Sequence, residues 1–231
     1  MPERHERILV GGDIPVLLRR SSRARRMTLR VTRAEGQVVL TLPLRASLLE
    51  GRAFAESRAE WLRRIRAEMP PASIAAADAL IPIEGQPFLI TLAPVRSARI
   101  EGDRLLVPKG RPVGTVVAAY LKHLAHARLI PACDRHAAHL GRHFRALALR
   151  DTRSRWGSCT HDGRLMFSWR LAMAPPTVLD YVAAHEVAHL AHMDHSDAFW
   201  AATERLYPGY QVQRSWLRKH GHEILAWRFR E

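Results

Sequence analysis

Residues 185 to 195 read His-Glu-Val-Ala-His-Leu-Ala-His-Met-Asp-His. On a helix, side chains four apart stand one above the other, so His185 and His189 can aim at one point with Glu186 beside them. Two imidazoles and a carboxylate at that spacing describe a mononuclear metal site with a base attached. Zn2+ suits it, since catalytic zinc takes three protein ligands at about 2.0 to 2.2 Å and keeps a fourth position for water. For the third ligand the residues leave three candidates. His195 follows His189 after a span that lets the chain leave the helix and turn back, Glu204 is the nearest downstream glutamate, and His192 lies i+3 from His189. Asp194 and Ser196 read as turn and N-cap residues, which favours His195 on a tight corner.

The surroundings strengthen this reading in a chain that carries 13 histidines. Residues 178 to 191 are apolar almost all the way round, the mark of a helix buried in a core. Two imidazoles and a carboxylate are costly there unless something pairs with them, and a metal with bound water satisfies all three. Zinc lowers the pKa of its bound water from 15.7 to about 7. Glu186 is then the general base and acid, taking the water's proton and passing it to the leaving group. The reaction that fits is attack of zinc-bound water on an amide bond.

The chain resembles the YgjP-like metallopeptidases, relatives of the SprT-like and other zincin proteases. The residues that carry the resemblance are Arg155-Trp156-Gly157-Ser158-Cys159, Trp169-Arg170-Leu171, Ala174-Pro175-Pro176, Asp180-Tyr181-Val182, His195-Ser196 with Phe199-Trp200, and Trp216-Leu217. The resemblance implies that the histidine of the His-Ser pair, His195, is the third ligand. Asp194 stands where members of that family commonly carry Asn. It also implies an α+β fold with a zincin-like core, an active-site helix under a small sheet, in which an edge strand beside the metal helix binds extended peptide.

Length and composition set the frame. The chain has 231 residues, 47% of them hydrophobic, enough for a sizeable core. No run of about 18 apolar residues occurs, and the first fifteen residues are too polar for a signal peptide. The expectation is a cytoplasmic protein with no membrane association. Cys133 and Cys159 form neither a close pair nor a metal-type spacing, so a disulfide framework is not expected. Lys plus Arg is 36 against 22 acidic residues, a formal net charge of +14. The excess concentrates at Arg19, Arg20, Arg23, Arg25 and Arg26 and again at Arg63, Arg64 and Arg66. Such faces are usually solvated, and nucleic acid or another polyanion is the sharper reading.

The elements follow from periodicity. The whole of 1–231 reads as one metallopeptidase unit with a β-rich N-terminal portion, 1–110, and a helical and hairpin zinc-site portion, 111–231. Apolar alternation predicts strands at Ile14 to Leu18, Met27 to Val31 and Val38 to Leu42, with a turn at Glu35-Gly36. One helix is predicted over about 47–68, its apolar stripe supplied by Leu48, Leu49, Phe54, Trp61, Leu62 and Ile65, ended by Pro70-Pro71. After an Ala-rich connector, strands return at Ile81 to Ile83, Pro87 to Leu92, Ala98 to Ile100 and Leu105 to Val107. A helix over Val116 to Leu124 should break or kink at Pro131 before resuming toward Leu140. Asp162-Gly163 marks a hairpin within 144–171, the sheet expected to face the metal. Ser196 should cap a helix over 197–206, and a last helix from Tyr210 should end at Gly221. Phe199, Trp200 and Trp216 are expected under the metal helix, Arg155 is a candidate substrate-binding charge, and Tyr207 or Tyr210 a candidate donor to an oxyanion.

Three functions fit these residues: a zinc peptidase with a peptide or protein substrate, a metal-dependent hydrolase of a phosphoanhydride such as a nucleoside triphosphate, and a nucleic-acid-associated protein with structural zinc. A structural zinc is normally closed by four Cys or His ligands, and this site offers three with a carboxylate alongside, which favours the enzymes.

Overall fold

Alternating apolar positions build the N-terminal sheet. In the computed structural model, which describes residues 6–32, 36–67, 73–152 and 154–230, Val16 and Leu18 of β2 (Ile14–Ser21) and Val38, Leu40 and Leu42 of β4 (Val38–Pro43) all point into one core. β1 (Glu6–Val10) and β3 (Thr28–Val31) complete a four-stranded sheet in the order β1-β2-β4-β3, with β2 and β4 parallel and the outer pairs antiparallel. The predicted strands are all present. Glu35 of the predicted turn and the Pro70-Pro71 stop lie outside the described residues.

The single helix expected over 47–68 is two: α1 (Leu48–Glu56) and α2 (Ala59–Ala67). Ser47 caps α1 through a reciprocal capping box with Glu50. The break falls at Ser57, whose hydroxyl turns back onto the Phe54 carbonyl, a local alternative to helical bonding that serine readily takes. Leu49, expected in the apolar stripe, is 79% exposed.

The chain divides into two compact units, Met1–Ala72 and Ser73–Glu231. The division therefore falls at 72/73, and the strands between 80 and 108 go with the second unit, because Ile81, Ile83, Leu105 and Val107 share one core with Val117 and Leu121. In that unit β5 (Leu80–Ile83), β6 (Gln86–Ala93), β7 (Arg99–Glu101) and β8 (Arg104–Pro108) form a sheet in the order β5-β6-β8-β7. α3 (Val113–Leu140) follows as one uninterrupted helix through Pro131. Leu129, Ala132 and Cys133 bury on either side of that proline, and their packing outweighs the lost backbone bond.

β9 (Ala146–Arg150), β10 (Gly157–Cys159) and β11 (Arg164–Ser168) make a small sheet in the order β10-β11-β9. The β10–β11 turn is the predicted one. Asp162 Oδ1 accepts from the Thr160 hydroxyl, Asp162 Oδ2 accepts from Arg164 Nε, and Gly163 takes a φ of 77°, which a residue with a side chain rarely adopts. A 3-10 turn (Trp169–Met173) leads into α4 (Pro176–Ala188), the helix expected to carry the metal ligands, whose first residue is the proline that fits a helix start. The tight β5–β6 turn seats this entry: the Glu84 and Gly85 amides donate to the Ala172 and Met173 carbonyls, and a Cβ on Gly85 would come within 2.9 Å of Pro175.

α5 (Asp197–Leu206) and α6 (Gln211–Ala226) complete the unit. Ser196 occupies the N-cap of α5 but makes no side-chain cap bond; its own amide is held by Asp194 Oδ1 at 3.2 Å. α6 runs straight through Gly221 rather than ending there. That glycine provides space instead of a stop, since a Cβ on it would lie 2.8 Å from the Trp156 ring. Arg170 is 1% exposed, its guanidinium carbon 5.0 Å from the Trp169 ring and 5.1 Å from the Phe229 ring, which meet each other edge-on at 4.9 Å. It donates to Asp151 at 2.7 Å and to the carbonyls of Ile224 and Trp227, and so clamps the end of α6 to the turn before α4. Among the described residues no helix is long and apolar enough to cross a membrane.

Candidate metal centre

His185 and Glu186 lie in the last turn of α4, and His189 is its C-cap. The helix thus ends sooner than the apolar run to Ala191 predicts, and the chain turns through 190–196 to return His195 on an exposed corner. The donor nitrogens of His185, His189 and His195 all lie within 4.8 Å of one another. The Nε2 atoms of His185 and His195 are 3.3 Å apart. His189 Nδ1 donates to the His192 carbonyl at 2.9 Å, which leaves its Nε2 lone pair free to point into the cluster. His192 thereby enters as a backbone acceptor and not as a third imidazole. Glu204 is engaged elsewhere, accepting from the Gly209 amide and from Gln211.

Phe199 explains how three rings are held together. It is fully buried and lies 4.9 Å from the His185 ring, 4.4 Å from His189 in a stacked arrangement and 4.8 Å from His195. Trp200 backs the same group, 5.8 Å from His185 and 5.6 Å from His195. Both were expected under the metal helix. Trp216 packs against the core that contains the α4 residues, and its ring lies 5.1 Å from that of His220.

Burial favours the neutral form of His185 and His189, the form that coordinates a metal. It drives His185 down to about 3, with the charges of His189, His195 and Arg214 adding to the effect, and it lowers His189 as well. Glu186 is only 5% exposed, and burial raises its carboxyl to about 8 against a small opposing pull from Arg155. Ionised, that carboxylate needs a cation beside it, because among the described residues it has neither a hydrogen bond nor an ion-pair partner.

The group fits a divalent ion. Two nitrogens each about 2.0 to 2.1 Å from one tetrahedral ion stand about 3.3 Å apart, which is the His185–His195 separation. The donor set is neutral imidazole with an adjoining carboxylate that no protein cation satisfies among the described residues.

β10 supplies the wall beside Glu186. A Cβ on Gly157 would fall 2.5 Å from both Cγ and Oε1 of Glu186, so the missing side chain is the space that the carboxylate occupies. Arg155, two residues earlier and exposed, is close enough for its charge to act on Glu186. Cys159, on the same strand, is no nucleophile: burial pushes its thiol up to about 11. Tyr210 stacks on Trp200 at 5.1 Å, and Tyr207 lines a separate cleft of about 390 Å³ with Asp180 and His136.

A family model for the YgjP-like metallopeptidase domain matches residues 25–220. The chain belongs to the YgjP-like metallopeptidase family. It is accordingly a metal-dependent peptidase, and the α+β architecture expected from the YgjP-like resemblance is the one observed. A solved structure with a resemblance to this chain is the crystal structure of the metallopeptidase zymogen of Pyrococcus abyssi abylysin, 18% identical, covering 39% of this chain and 93% of that one at a TM-score of 0.36. No curated protein matches the chain.

Sequence reasoning missed two contributors to this YgjP-like site. Gly157 stands within the Arg155–Cys159 motif, yet nothing in its residue type tells that its absent Cβ faces Glu186. Arg214 lies 4.5 Å over the Trp200 ring, and only the fold brings α6 to that position.

Proposed function

We propose that the protein is a zinc peptidase in which His185, His189 and His195 hold the ion and Glu186 moves the proton. The convergence of three imidazole nitrogens next to a buried carboxylate carries this reading. The ion supplies a Lewis acid for the substrate carbonyl and makes water acidic enough to attack near neutral pH. Everything else falls to the chain. Glu186 accepts a proton at its carboxylate and returns it to the departing amine nitrogen. Phe199 and Trp200 exclude bulk water from one side of the group and fix the ring orientations. β10 pairs only with β11 among the described strands, and its outer edge, beside Glu186, is suited to receive an extended peptide by strand addition. Arg155 offers a guanidinium to the substrate beside the base. Membership of a peptidase family favours a peptide over a phosphoanhydride as substrate, and the net charge of +14 supports a polyanionic partner in addition.

Metal content and turnover of single variants test this reading. Zinc-loaded wild type should contain one ion per chain and cleave unfolded protein or peptides, with loss of activity in chelator. Glu186→Gln should keep the ion and lower turnover by about a hundredfold or more. His195→Ala should lose the ion while His192→Ala keeps it. A fully active Glu186→Gln would overturn the assigned base, and metal loss in His192→Ala alone would move the third ligand.

A further inference from the structure

We infer that Arg214, held over Trp200 beside the three histidines, is an anion-recognition point that selects substrates bearing a carboxylate close to the scissile bond. The inference rests on the peptidase reading and names its substrate class. Arg214 lies on α6 and is exposed, with its guanidinium carbon 4.5 Å from the Trp200 ring centroid. That ring is 5.6 Å from His195 and 5.8 Å from His185, so one aromatic side chain separates the cation from the metal ligands. Trp200 is itself held by Tyr210, stacked on it at 12°, which in turn stacks on Tyr181. The guanidinium therefore rests on a braced platform.

Arg214 contrasts with the ion-paired arginines of this unit. Arg128 pairs with Glu84, Arg135 with Asp180, Arg170 with Asp151 and Arg164 with Asp162. Arg214 has no carboxylate or carbonyl partner for its side chain among the described residues. A guanidinium that lies over a ring keeps N–H donors free at its edge, and those donors match a carboxylate in bidentate geometry. A substrate carboxylate could be an acidic side chain or the terminal carboxylate of a short peptide, and the two share this chemistry.

The experiment uses full-length zinc-loaded Glu186→Gln, in which bound peptide persists, and three peptides of one neutral sequence. One is blocked at both ends, one is blocked but carries a single internal glutamate, and one has a free C-terminal carboxylate. Titration followed by tryptophan fluorescence should show about tenfold tighter binding for at least one carboxylate peptide than for the blocked neutral one. The tighter of the two identifies the source of the charge. Adding Arg214→Ala should erase the preference, Arg214→Lys should retain part of it, and Arg214→Glu should reverse it, all at unchanged zinc content. Equal binding of the three peptides, no measurable binding of either carboxylate peptide, or a preference that survives in Arg214→Ala would overturn the inference. Wild-type turnover separates this from the peptidase reading. Hydrolysis of all three peptides with equal kcat/KM sinks the subsite and leaves the peptidase standing, whereas charge-dependent binding without hydrolysis of any peptide does the opposite.

Discussion

At the scale of single residues, the site depends as much on an absent side chain as on those present. Gly157→Ala puts a methyl group where Glu186 Cγ and Oε1 now lie, so the base must shift while the three imidazoles are untouched. The variant should bind one metal ion as wild type does and lose about a hundredfold in turnover, the scale of a displacement of about 1 Å at a reacting group; equal activity would show that Glu186 has room to spare. A second residue sets acid tolerance. Asp180 accepts from buried His136 at 2.9 Å and from Arg135 at 2.6 Å. Burial raises its carboxyl, but these bonds and charges together hold it below its ordinary 3.8. Its folded pKa is thus depressed, so its contribution is complete above about 3.8 and is lost as pH falls through the folded value. Thermal melts should find Asp180→Asn less stable than wild type by about 1 to 2 kcal/mol at pH 6, with the gap closing toward pH 3. The convergence of His185 and His189 beside Glu186 was legible in the sequence because helical spacing ties residue number directly to direction. Gly157 and Arg214 were not, because a glycine's missing atom and an arginine's resting place are set by what another element puts opposite them.

Among elements, two of the readings that failed have a common cause. Pro131 and Gly221 each carry a strong local preference for ending a helix, and in both places burial of the flanking residues prevails. Pro131 itself is exposed, so nothing packs against its ring to repay the missing donor. Pro131→Ala should restore a backbone bond and relieve the clash with the preceding turn, worth about 3 kcal/mol, less about 1 kcal/mol for the more flexible unfolded chain. A denaturant midpoint shifted upward by the equivalent of about 2 kcal/mol is expected, and a downward shift would mean that α3 needs its proline for shape. Strands were easier to read than helix ends. Alternation in β2 and β4 reports a half-buried sheet whatever surrounds it, and Asp162-Gly163 encodes its turn locally. The split between α1 and α2 at Ser57 had no comparable signal, since the apolar spacing continues across it.

For the molecule as a whole, all of the proposed chemistry sits in Ser73–Glu231, which has its own core and supplies His185, Glu186, His189, His195 and Gly157. A fragment comprising 73–231 should fold, unfold cooperatively and retain one metal ion, measured by elemental analysis and circular dichroism. Failure to bind metal would assign residues 1–72 a part in maturing the site. Bulk composition was informative about class and silent about this division, because both units are basic and both have apolar cores. Nor could composition separate structural arginines from free ones. Arg63, read as part of a basic cluster, is tied to Asp13 and to the Gly11 carbonyl, and Arg20 to the Leu44 and Ala46 carbonyls.

The clamp made by Arg170 adds an order of events. Its acceptors at Ile224 and Trp227, together with the Phe229 ring and the bridge from Arg228 to Ile74, come from the far end of the unit. A ribosome has therefore to thread residues 224–229 out of its tunnel before the guanidinium finds its acceptors. Until then the guanidinium has Asp151 as its partner but lacks the carbonyls that tie the turn before α4 to the end of α6. The last part of the seat under the histidine-bearing helix is therefore supplied only when the end of the unit has been made.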